Sequence, residues 1–179
     1  MINEMLEAAL SYARRGWAVL PLNYMLDSGI CSCQDGAECK TPAKHPLGLL
    51  VPNGHHNATT DETTIRGWWW RHPRANVAKR VGEDEIVIDV ESVEKTGIDG
   101  VAVFHELNGA DKLGPLPPTF TVKTATGGLH LHFRRPASMM RKDVKKWLVE
   151  GAIELKSSGY VVMPPSVTGK GRYEVMRDV

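Results

Sequence analysis

The sequence lacks a charge excess of either sign, and this limits how the protein can bind its partners. Among 179 residues, 22 Lys and Arg stand against 21 Asp and Glu, so the formal net charge is +1. A protein that binds nucleic acid through bulk positive charge needs a larger excess of basic residues. Any nucleic-acid contact must therefore come from local basic patches, or from carboxylates whose charge is neutralised by metal ions.

A long apolar segment is missing as well. No run approaches the roughly 18 consecutive apolar residues of a membrane span, and the N-terminus has no signal-peptide pattern. We therefore expect a cytosolic protein with no membrane partner. Apolar residues still make up 42% of the chain, enough for a core, and the length fits one domain. The strand-like stretch before Val179 has no clear stop signal, as expected for the N-terminal module of a longer protein.

Cysteine is scarce and confined to one segment. The three cysteines are clustered and odd in number, which argues against a disulfide framework: Cys31, Cys33 and Cys39. With His45 they offer three thiolates and an imidazole, an accepted structural Zn²⁺ set. We expect a zinc-stapled loop over residues 31–45. His55 or His56 is an alternative fourth ligand, and reduced cysteines without a metal are the alternative to zinc.

Helical spacing and capping residues predict two helices in the first half of the chain. The first is expected to end at Gly16, and a buried strand should follow over residues 17–22. The second is expected to begin at the capping-box segment 59–62 and to end at His72. Trp70 is the best of three adjacent tryptophans for exposure and for stacking on bases. The opposite face should be buried, and it carries Ile65, Trp68 and Trp69.

The second half of the chain predicts strands mixed with helices. The strongest strand signal lies over residues 85–91, and helices are expected over residues 100–107 and 142–149. Two β-hairpins are also expected, the first from residues 120–124 with 129–133 and the second from residues 152–155 with 160–163. This order of elements indicates an α+β fold, an α/β sandwich whose late strands are antiparallel.

Asp89 and Glu91 stand two residues apart at the end of the strongest strand. Side chains alternate along a strand, so both carboxylates project from the same face. Paired anions are usually neutralised by cations, and carboxylate oxygens suit Mg²⁺ or Mn²⁺. Glu154 lies on another predicted strand among apolar neighbours, where a shared metal would supply its partner. The alternative for Asp89 and Glu91 is an exposed strand end, which is a common pattern.

A Gly-Gly turn leads into a strand that carries two histidines. Gly127 and Gly128 allow backbone N–H groups to approach phosphates closely. His130 and His132 share one face of the strand, and a histidine beside a triphosphate can donate a hydrogen bond to it. An ordinary hairpin with outward polar residues is the alternative. Later basic residues could pair with phosphate or form a solvated face: Arg134, Arg135, Arg141, Lys142, Lys145 and Lys146.

Seven segments, in order, resemble one family across nearly the whole chain. It is the bifunctional DNA primase/polymerase domain of the archaeo-eukaryotic primase superfamily, which occurs in plasmid, phage and prophage replication proteins. Each segment alone is weak, and all seven in family order are specific: 16–21, 44–46, 58–61, 73–77, 86–91, 126–130 and 159–166. The resemblance implies one catalytic domain over residues 1–179. Its sheet is expected to be a curved antiparallel sheet like that of RNA-recognition-motif domains, beside an N-terminal α/β unit.

The resemblance also implies roles for individual residues. His130 is expected to contact the incoming nucleotide, and Lys156 stands where the family often has a basic residue that reaches phosphates. Lys44 precedes His45 and a proline, as basic residues of the family do, so His45 could serve the nucleotide or DNA instead of zinc. The acids are expected to hold two catalytic Mg²⁺ or Mn²⁺ ions, although the third is more usually Asp: Asp89, Glu91 and Glu154.

The activity that the resemblance implies is template-dependent nucleotidyl transfer. Primers would be made from dNTPs or NTPs on a single-stranded DNA template, in the cytoplasm of a bacterial or phage-infected cell. A helicase domain or protein is the expected partner, and the isolated domain should be monomeric. Two alternatives stay open. One is a rolling-circle nicking endonuclease, suggested by the histidines of the 130–132 strand, and the other is a non-catalytic module that binds single-stranded DNA.

Overall fold

A computed structural model describes residues 3–109, 116–144 and 146–179. The chain divides into two compact units, the first comprising Met1–Arg80 with Gly159–Tyr173 and the second Val81–Ser158 with Glu174–Val179. The elements are α1 (Glu4–Arg14), β1 (Val19–Leu22), α2 (Glu62–Arg71), β2 (Asn76–Arg80), β3 (Glu85–Val90), α3 (Val93–Thr96), α4 (Gly100–Gly109), β4 (Thr121–Lys123), β5 (Leu129–Arg134), β6 (Trp147–Val149), β7 (Ile153–Lys156), β8 (Tyr160–Met163), β9 (Val167–Thr168), β10 (Gly171–Arg172) and β11 (Glu174–Arg177). Helices and antiparallel sheets together confirm the predicted α+β class.

The first unit packs α1 and α2 against a three-stranded antiparallel sheet of order β1-β2-β8. Helix α1 stops before Gly16, whose φ of +82° is the left-handed conformation that glycine tolerates, as predicted. The β9–β10 hairpin completes this unit. Large apolar side chains fill the core, and among the fully buried ones are Leu10, Leu20, Ile65, Trp69 and Val77.

Helix α2 begins two residues later than the capping-box pattern predicts. Its N-cap is Asp61, whose carboxylate accepts a hydrogen bond of 2.8 Å from the backbone N–H of Thr64. Thr59 is instead held in an extended conformation, because its backbone exchanges hydrogen bonds of 2.9 and 3.0 Å with Val19. The predicted faces are confirmed, since Ile65, Trp68 and Trp69 are buried and Trp70 is exposed.

The second unit contains a six-stranded antiparallel sheet of order β11-β4-β5-β3-β7-β6. Strand β3, the segment with the strongest strand signal, lies between β5 and β7 near the middle of that sheet. The predicted hairpin of β4 and β5 is confirmed. Helix α4 contributes Phe104 to an apolar cluster with Val90, Leu131, Ala152 and Ile153. This cluster fixes the ends of β3, β5 and β7 relative to one another.

Two predictions for the segment after residue 140 are wrong. The helix expected over 142–149 is a 3-10 turn at Arg141–Asp143 followed by β6, because Trp147 and Val149 pair with β7. The hairpin expected from 152–155 and 160–163 does not form, because β7 pairs with β3 whereas β8 pairs with β2 in the other unit. Lys145, one of the predicted basic residues, lies outside the described residues.

Within the described ranges, none of the helices is both long and apolar enough to cross a bilayer.

Candidate active site

Three carboxylates meet at the end of β3. Asp89 on β3 and Glu154 on β7 are direct cross-strand partners, and Glu91 follows the last residue of β3. One oxygen from each carboxylate lies within 4.8 Å of the others. Asp89 and Glu91 are each only 5% exposed, and Glu154 is half-buried. The acids that were predicted from two separate segments are therefore one cluster, with the size and the hard oxygen donors that suit a divalent cation.

Lys156 compensates the charge of this cluster. Like charges directly opposite each other on paired strands are destabilising, so Asp89 and Glu154 need a cation nearby. The amine of Lys156 lies 2.9 Å from Oε2 of Glu154 and 3.4 Å from Oδ2 of Asp89. Burial disfavours the charged amine, but the two carboxylates outweigh that effect and raise the pKa of Lys156 above its ordinary value. The amine is therefore a fixed positive charge at neutral pH.

A second lysine, which sequence reasoning missed, holds Glu91. The Nζ of Lys95 on α3 lies 2.5 Å from Oε1 of Glu91. The only signal for it in the sequence is the separation of four residues, which in a helical turn brings two side chains together. Nearby, Gly100 begins α4, and a Cβ there would lie 2.4 Å from the carbonyl oxygen of Glu91 and 2.5 Å from that of Ala152. Glycine is needed at this position because these backbones approach so closely.

His130 and the Gly-Gly turn lie beside the carboxylates. His130 on β5 is the cross-strand partner of Asp89, and its Nε2 lies 3.5 Å from Oδ1 of that residue. Gly127 has a φ of +90°, and a Cβ on Gly128 would lie 2.3 Å from the carbonyl oxygen of Val90. The turn therefore lies directly against the end of β3, and it is closed by a hydrogen bond of 2.9 Å from the N–H of Gly127 to the carbonyl oxygen of Thr124. Glycine at position 128 allows the backbone to approach a bound phosphate closely.

The other predicted histidine, His132, lies in different surroundings. It is 6% exposed, and its ring packs edge-on against Phe120 with the centroids 5.5 Å apart. Two clusters of at least three potential metal ligands occur in the described part of the chain, and neither contains His130 or His132. This arrangement does not favour the single-metal His-hydrophobic-His site of a nicking endonuclease.

Of two further predicted phosphate ligands, Arg134 lies away from this cluster. Arg134 lies on β5 opposite Glu85, four residues beyond His130, which corresponds to about 13 Å along a strand. Its guanidinium is highly exposed and lies 3.5 Å from Oδ2 of Asp84. Lys44 belongs to the first unit, where its carbonyl oxygen accepts a hydrogen bond of 3.1 Å from the hydroxyl of Tyr160.

The cysteines form a second candidate metal cluster, in the first unit. Single ligand atoms of four side chains lie within 4.8 Å of one another: Cys31, Cys33, Cys39 and His45. The Nε2 of His45 lies 3.4 Å from the sulfur of Cys39 and 3.7 Å from that of Cys31. Asn23 Nδ2 lies 3.2 Å from the other ring nitrogen, Nδ1, and so orients the imidazole toward the thiols. The structure thus groups His45 with the cysteines, and not His55 or His56.

The thiols of this cluster influence one another strongly. Loss of hydration raises the pKa of the Cys39 thiol to about 11. Desolvation acts in the same direction on Cys33, but hydrogen bonds from Cys31 and Cys39 outweigh it and lower the pKa of Cys33. Cys31 is buried, and its sulfur accepts a hydrogen bond of 3.4 Å from the backbone N–H of Ala43. A zinc ion held by this cluster would take the cysteines as thiolates, so its binding would release protons.

Comparison with known protein families finds one family model that matches this chain. The family model described as "Bifunctional DNA primase/polymerase, N-terminal" matches residues 9–179, nearly the whole chain. None of the curated protein sequences compared with the chain matches it. The matched range contains both metal-ligand clusters and the Gly-Gly turn.

Proposed function

Because the chain belongs to the bifunctional DNA primase/polymerase family, we propose that it is a template-dependent nucleotidyltransferase that makes primers. The family implies a role in DNA replication, with DNA and nucleotides as substrates. Primers would be built from dNTPs or NTPs on single-stranded DNA. The observation that carries the proposal is the meeting of three carboxylates from two separate segments beside His130 and a Gly-Gly turn.

Each residue of the cluster has a distinct part in the proposed reaction. Asp89, Glu91 and Glu154 would hold two Mg²⁺ or Mn²⁺ ions, which when bound activate a 3′-hydroxyl and neutralise the leaving pyrophosphate. The other groups bind and orient the nucleoside triphosphate for in-line attack on its α-phosphorus. His130 would donate a hydrogen bond to the triphosphate, and the backbone N–H of Gly128 would contact its oxygens. Gly127 would shape the turn, because its N–H donates a hydrogen bond of 2.9 Å to the carbonyl oxygen of Thr124.

Lys156 has two successive roles in this proposal. In the free protein its amine neutralises Asp89 and Glu154, from which it lies 3.4 and 2.9 Å. When metal ions take over these carboxylates, the charged amine is released and can pair with a phosphate of the nucleotide. Lys44 and Arg134 stay sequence predictions for nucleotide contact, and the proposal does not depend on them.

For the cysteine cluster we propose a structural Zn²⁺ ion held by Cys31, Cys33, Cys39 and His45. Three sulfurs and one imidazole nitrogen satisfy tetrahedral zinc completely, which leaves no position open for a substrate. The segment from residue 23 to 57 contains only short 3-10 turns and isolated bridges, so a metal staple would supply the stability that regular structure does not.

We further propose the setting of this reaction. The chain would work in the cytoplasm of a bacterial or phage-infected cell, as the N-terminal module of a longer replication protein. A helicase domain or a separate helicase would supply single-stranded template. The module itself would be monomeric, since nothing in the proposed chemistry requires a second copy.

The experiment is primer synthesis and primer extension on single-stranded DNA with Mg²⁺ or Mn²⁺. Asp89→Asn, Glu91→Gln and Glu154→Gln should each abolish both activities while the protein stays folded. Glu94→Gln is the matched control, because Glu94 is an exposed glutamate on α3 three residues from Glu91. Full activity in the three variants would exclude the proposed site. Transfer of a labelled DNA end onto a tyrosine would favour the nicking alternative instead.

A further inference from the structure

Trp70 is a large apolar side chain that the fold does not use. Its side chain is 81% exposed, whereas its neighbours Trp68 and Trp69 are 7% and 1% exposed. Trp69 also donates a hydrogen bond of 2.9 Å from its indole nitrogen to the carbonyl oxygen of Ala75, as a core tryptophan should. Packing and hydrogen bonding therefore explain two of the three adjacent tryptophans. Packing and hydrogen bonding do not explain why Trp70 is a tryptophan, because its side chain is exposed to solvent.

The helix surface beside Trp70 is bare. Gly67 precedes Trp70 by three residues and so lies on the same face of α2. A Cβ added at Gly67 would have nothing within 4 Å, so no packing requires glycine there. Glycine inside a helix is less favourable than alanine. Its effect here is to leave a strip of backbone with no side chain next to an exposed aromatic ring, which is room for a flat group to lie against the indole.

Basic side chains surround this strip. Arg66 and Arg71 are exposed on the same helix. Glu62, the acid on α2, is shared between two guanidinium groups, since Arg14 Nε and Arg66 Nη2 lie 2.8 and 3.1 Å from its carboxylate oxygens. One carboxylate thus faces two arginines, and Arg71 adds a further positive charge. Arg66 and Arg71 thus give this side of α2 a local excess of positive charge, although the whole chain is nearly neutral.

The remaining exposed side chains of α2 indicate which kind of partner fits. Apart from Trp70 they are polar or charged: Thr63, Thr64, Arg66 and Arg71. The centre of a protein–protein interface is depleted of charge and contains several apolar groups, which α2 does not offer. Single-stranded nucleic acid needs an aromatic face for a base and cations for its phosphates, and α2 offers both.

We propose that Trp70, with Gly67, Arg66 and Arg71, forms a base-stacking platform for single-stranded DNA. This proposal rests on the proposed function in one respect, namely that single-stranded template is the substrate. An unpaired base would stack on the indole over the strip at Gly67, and the arginines would contact the adjoining phosphates. The platform belongs to the first unit and contains no member of the carboxylate cluster, so it binds DNA without nucleotide or catalytic metal.

The test measures binding of a labelled oligo-dT to the whole chain by fluorescence anisotropy. The buffer contains no EDTA and no nucleotide. Trp70→Ala should weaken binding about 5-fold to 100-fold, the range for loss of one stacked base, and Trp70→Phe should restore part of it. Leu49→Ala is the matched control, because Leu49 is 80% exposed in the same unit and should not alter binding. Duplex DNA of the same length should bind equally to wild type and Trp70→Ala.

The possible outcomes distinguish failure of the platform from failure of the proposed function. Unchanged oligo-dT binding by Trp70→Ala overturns the platform, and so does an equal loss of duplex binding. In primer extension, Trp70→Ala should raise the KM for template and leave kcat unchanged, whereas a loss of kcat alone would also overturn it. Asp89→Asn should bind oligo-dT like wild type and fail in transfer. Trp70-dependent binding by a protein with no transfer activity would refute the enzyme and retain the platform.

Discussion

Asp89 and Glu154 are direct cross-strand partners on β3 and β7, so two carboxylates face each other at one register position of the sheet. Such a pair is unfavourable unless a cation lies between its members. In this structure the cation is the amine of Lys156, which is within 3.4 Å of both carboxylates. The sheet therefore holds the acids together with a built-in counterion, and a divalent metal has to compete with that counterion.

Replacing Lys156 should separate its two roles. Lys156→Met leaves Asp89 and Glu154 without their counterion, so the metal-free protein should lose about 1 kcal/mol of unfolding free energy. Added Mg²⁺ or Mn²⁺ should restore more stability to this variant than to wild type, because no amine competes for the carboxylates. Urea unfolding with and without added Mg²⁺ or Mn²⁺, in buffer free of chelator so that the cysteine cluster keeps its zinc, measures both effects.

Lys142→Met is the control for that experiment, since Lys142 is exposed and lies in the same unit. Its unfolding curves should match those of wild type under both conditions. Equal behaviour of Lys156→Met and Lys142→Met would show that Lys156 is not the counterion of the acid pair.

Removal of zinc should unfold the cysteine segment. A strong chelator is expected to lower the Tm of wild type and to release about one Zn²⁺ per chain. His45→Ala should bind little zinc and should already melt at the lower temperature. His55→Ala, which changes the other candidate ligand, should keep both the zinc and the Tm of wild type. Zinc content by atomic absorption with a thermal melt measures this, and loss of zinc only in His55→Ala would contradict the assignment.

Gly100→Ala should damage the site through the backbone. The added Cβ would lie 2.4 and 2.5 Å from the carbonyl oxygens of Glu91 and Ala152, so the backbone around Glu91 must shift. We expect a loss of about 2 kcal/mol or more in unfolding free energy, as for an overpacked core, together with reduced activity at saturating metal. Gly109→Ala at the other end of α4 is the control, since a Cβ there meets nothing within 4 Å. Equal unfolding free energies of Gly100→Ala and Gly109→Ala would contradict this prediction.

Acid should loosen α2 through its N-cap. Hydrogen bonds from the side chain and backbone of Thr64 lower the pKa of Asp61 below its unfolded value of 3.8. A depressed folded pKa means that this contribution to stability is complete above pH 3.8 and is lost as the pH falls through the folded value. Asp61→Asn keeps a capping oxygen that does not titrate, so its urea midpoint should fall less between pH 5 and pH 3 (roughly the range that brackets an Asp pKa). An identical acid dependence in the two proteins would contradict this role of Asp61.

Local patterns predicted the parts of the site that depend on one segment. The strand with Asp89, the turn at Gly127 and the cysteine cluster all follow from spacing within a few residues. The sequence did not indicate that β7 pairs with β3 while β8 pairs with β2, because strand pairing depends on contacts far apart in the chain. The opposition of Asp89 and Glu154 is a consequence of that pairing, and so it became visible only in the structure.

Contacts between neighbouring elements of the fold also explain the residues that sequence reasoning missed or misplaced. Lys95 meets Glu91 because α3 turns directly after β3, and a single lysine carries no signal for such a contact. The segment with Trp147 and Val149 was predicted as a helix, yet an available edge on β7 makes it a strand. In both cases the local structure depends on a neighbouring element of the fold, and the local sequence alone does not predict it.

The strand β8 has a consequence for how the protein is made. It completes the β1-β2-β8 sheet of the first unit but is synthesised after the whole 81–158 segment of the second. A nascent chain on the ribosome therefore cannot finish the first unit until residues 81–158 of the second have been translated, in contrast to the usual sequential folding of N-terminal domains. Synthesis of the nascent chain must reach residue 163 before the sheet behind Trp69 can close, so an incomplete first unit waits while residues 81–158 are made.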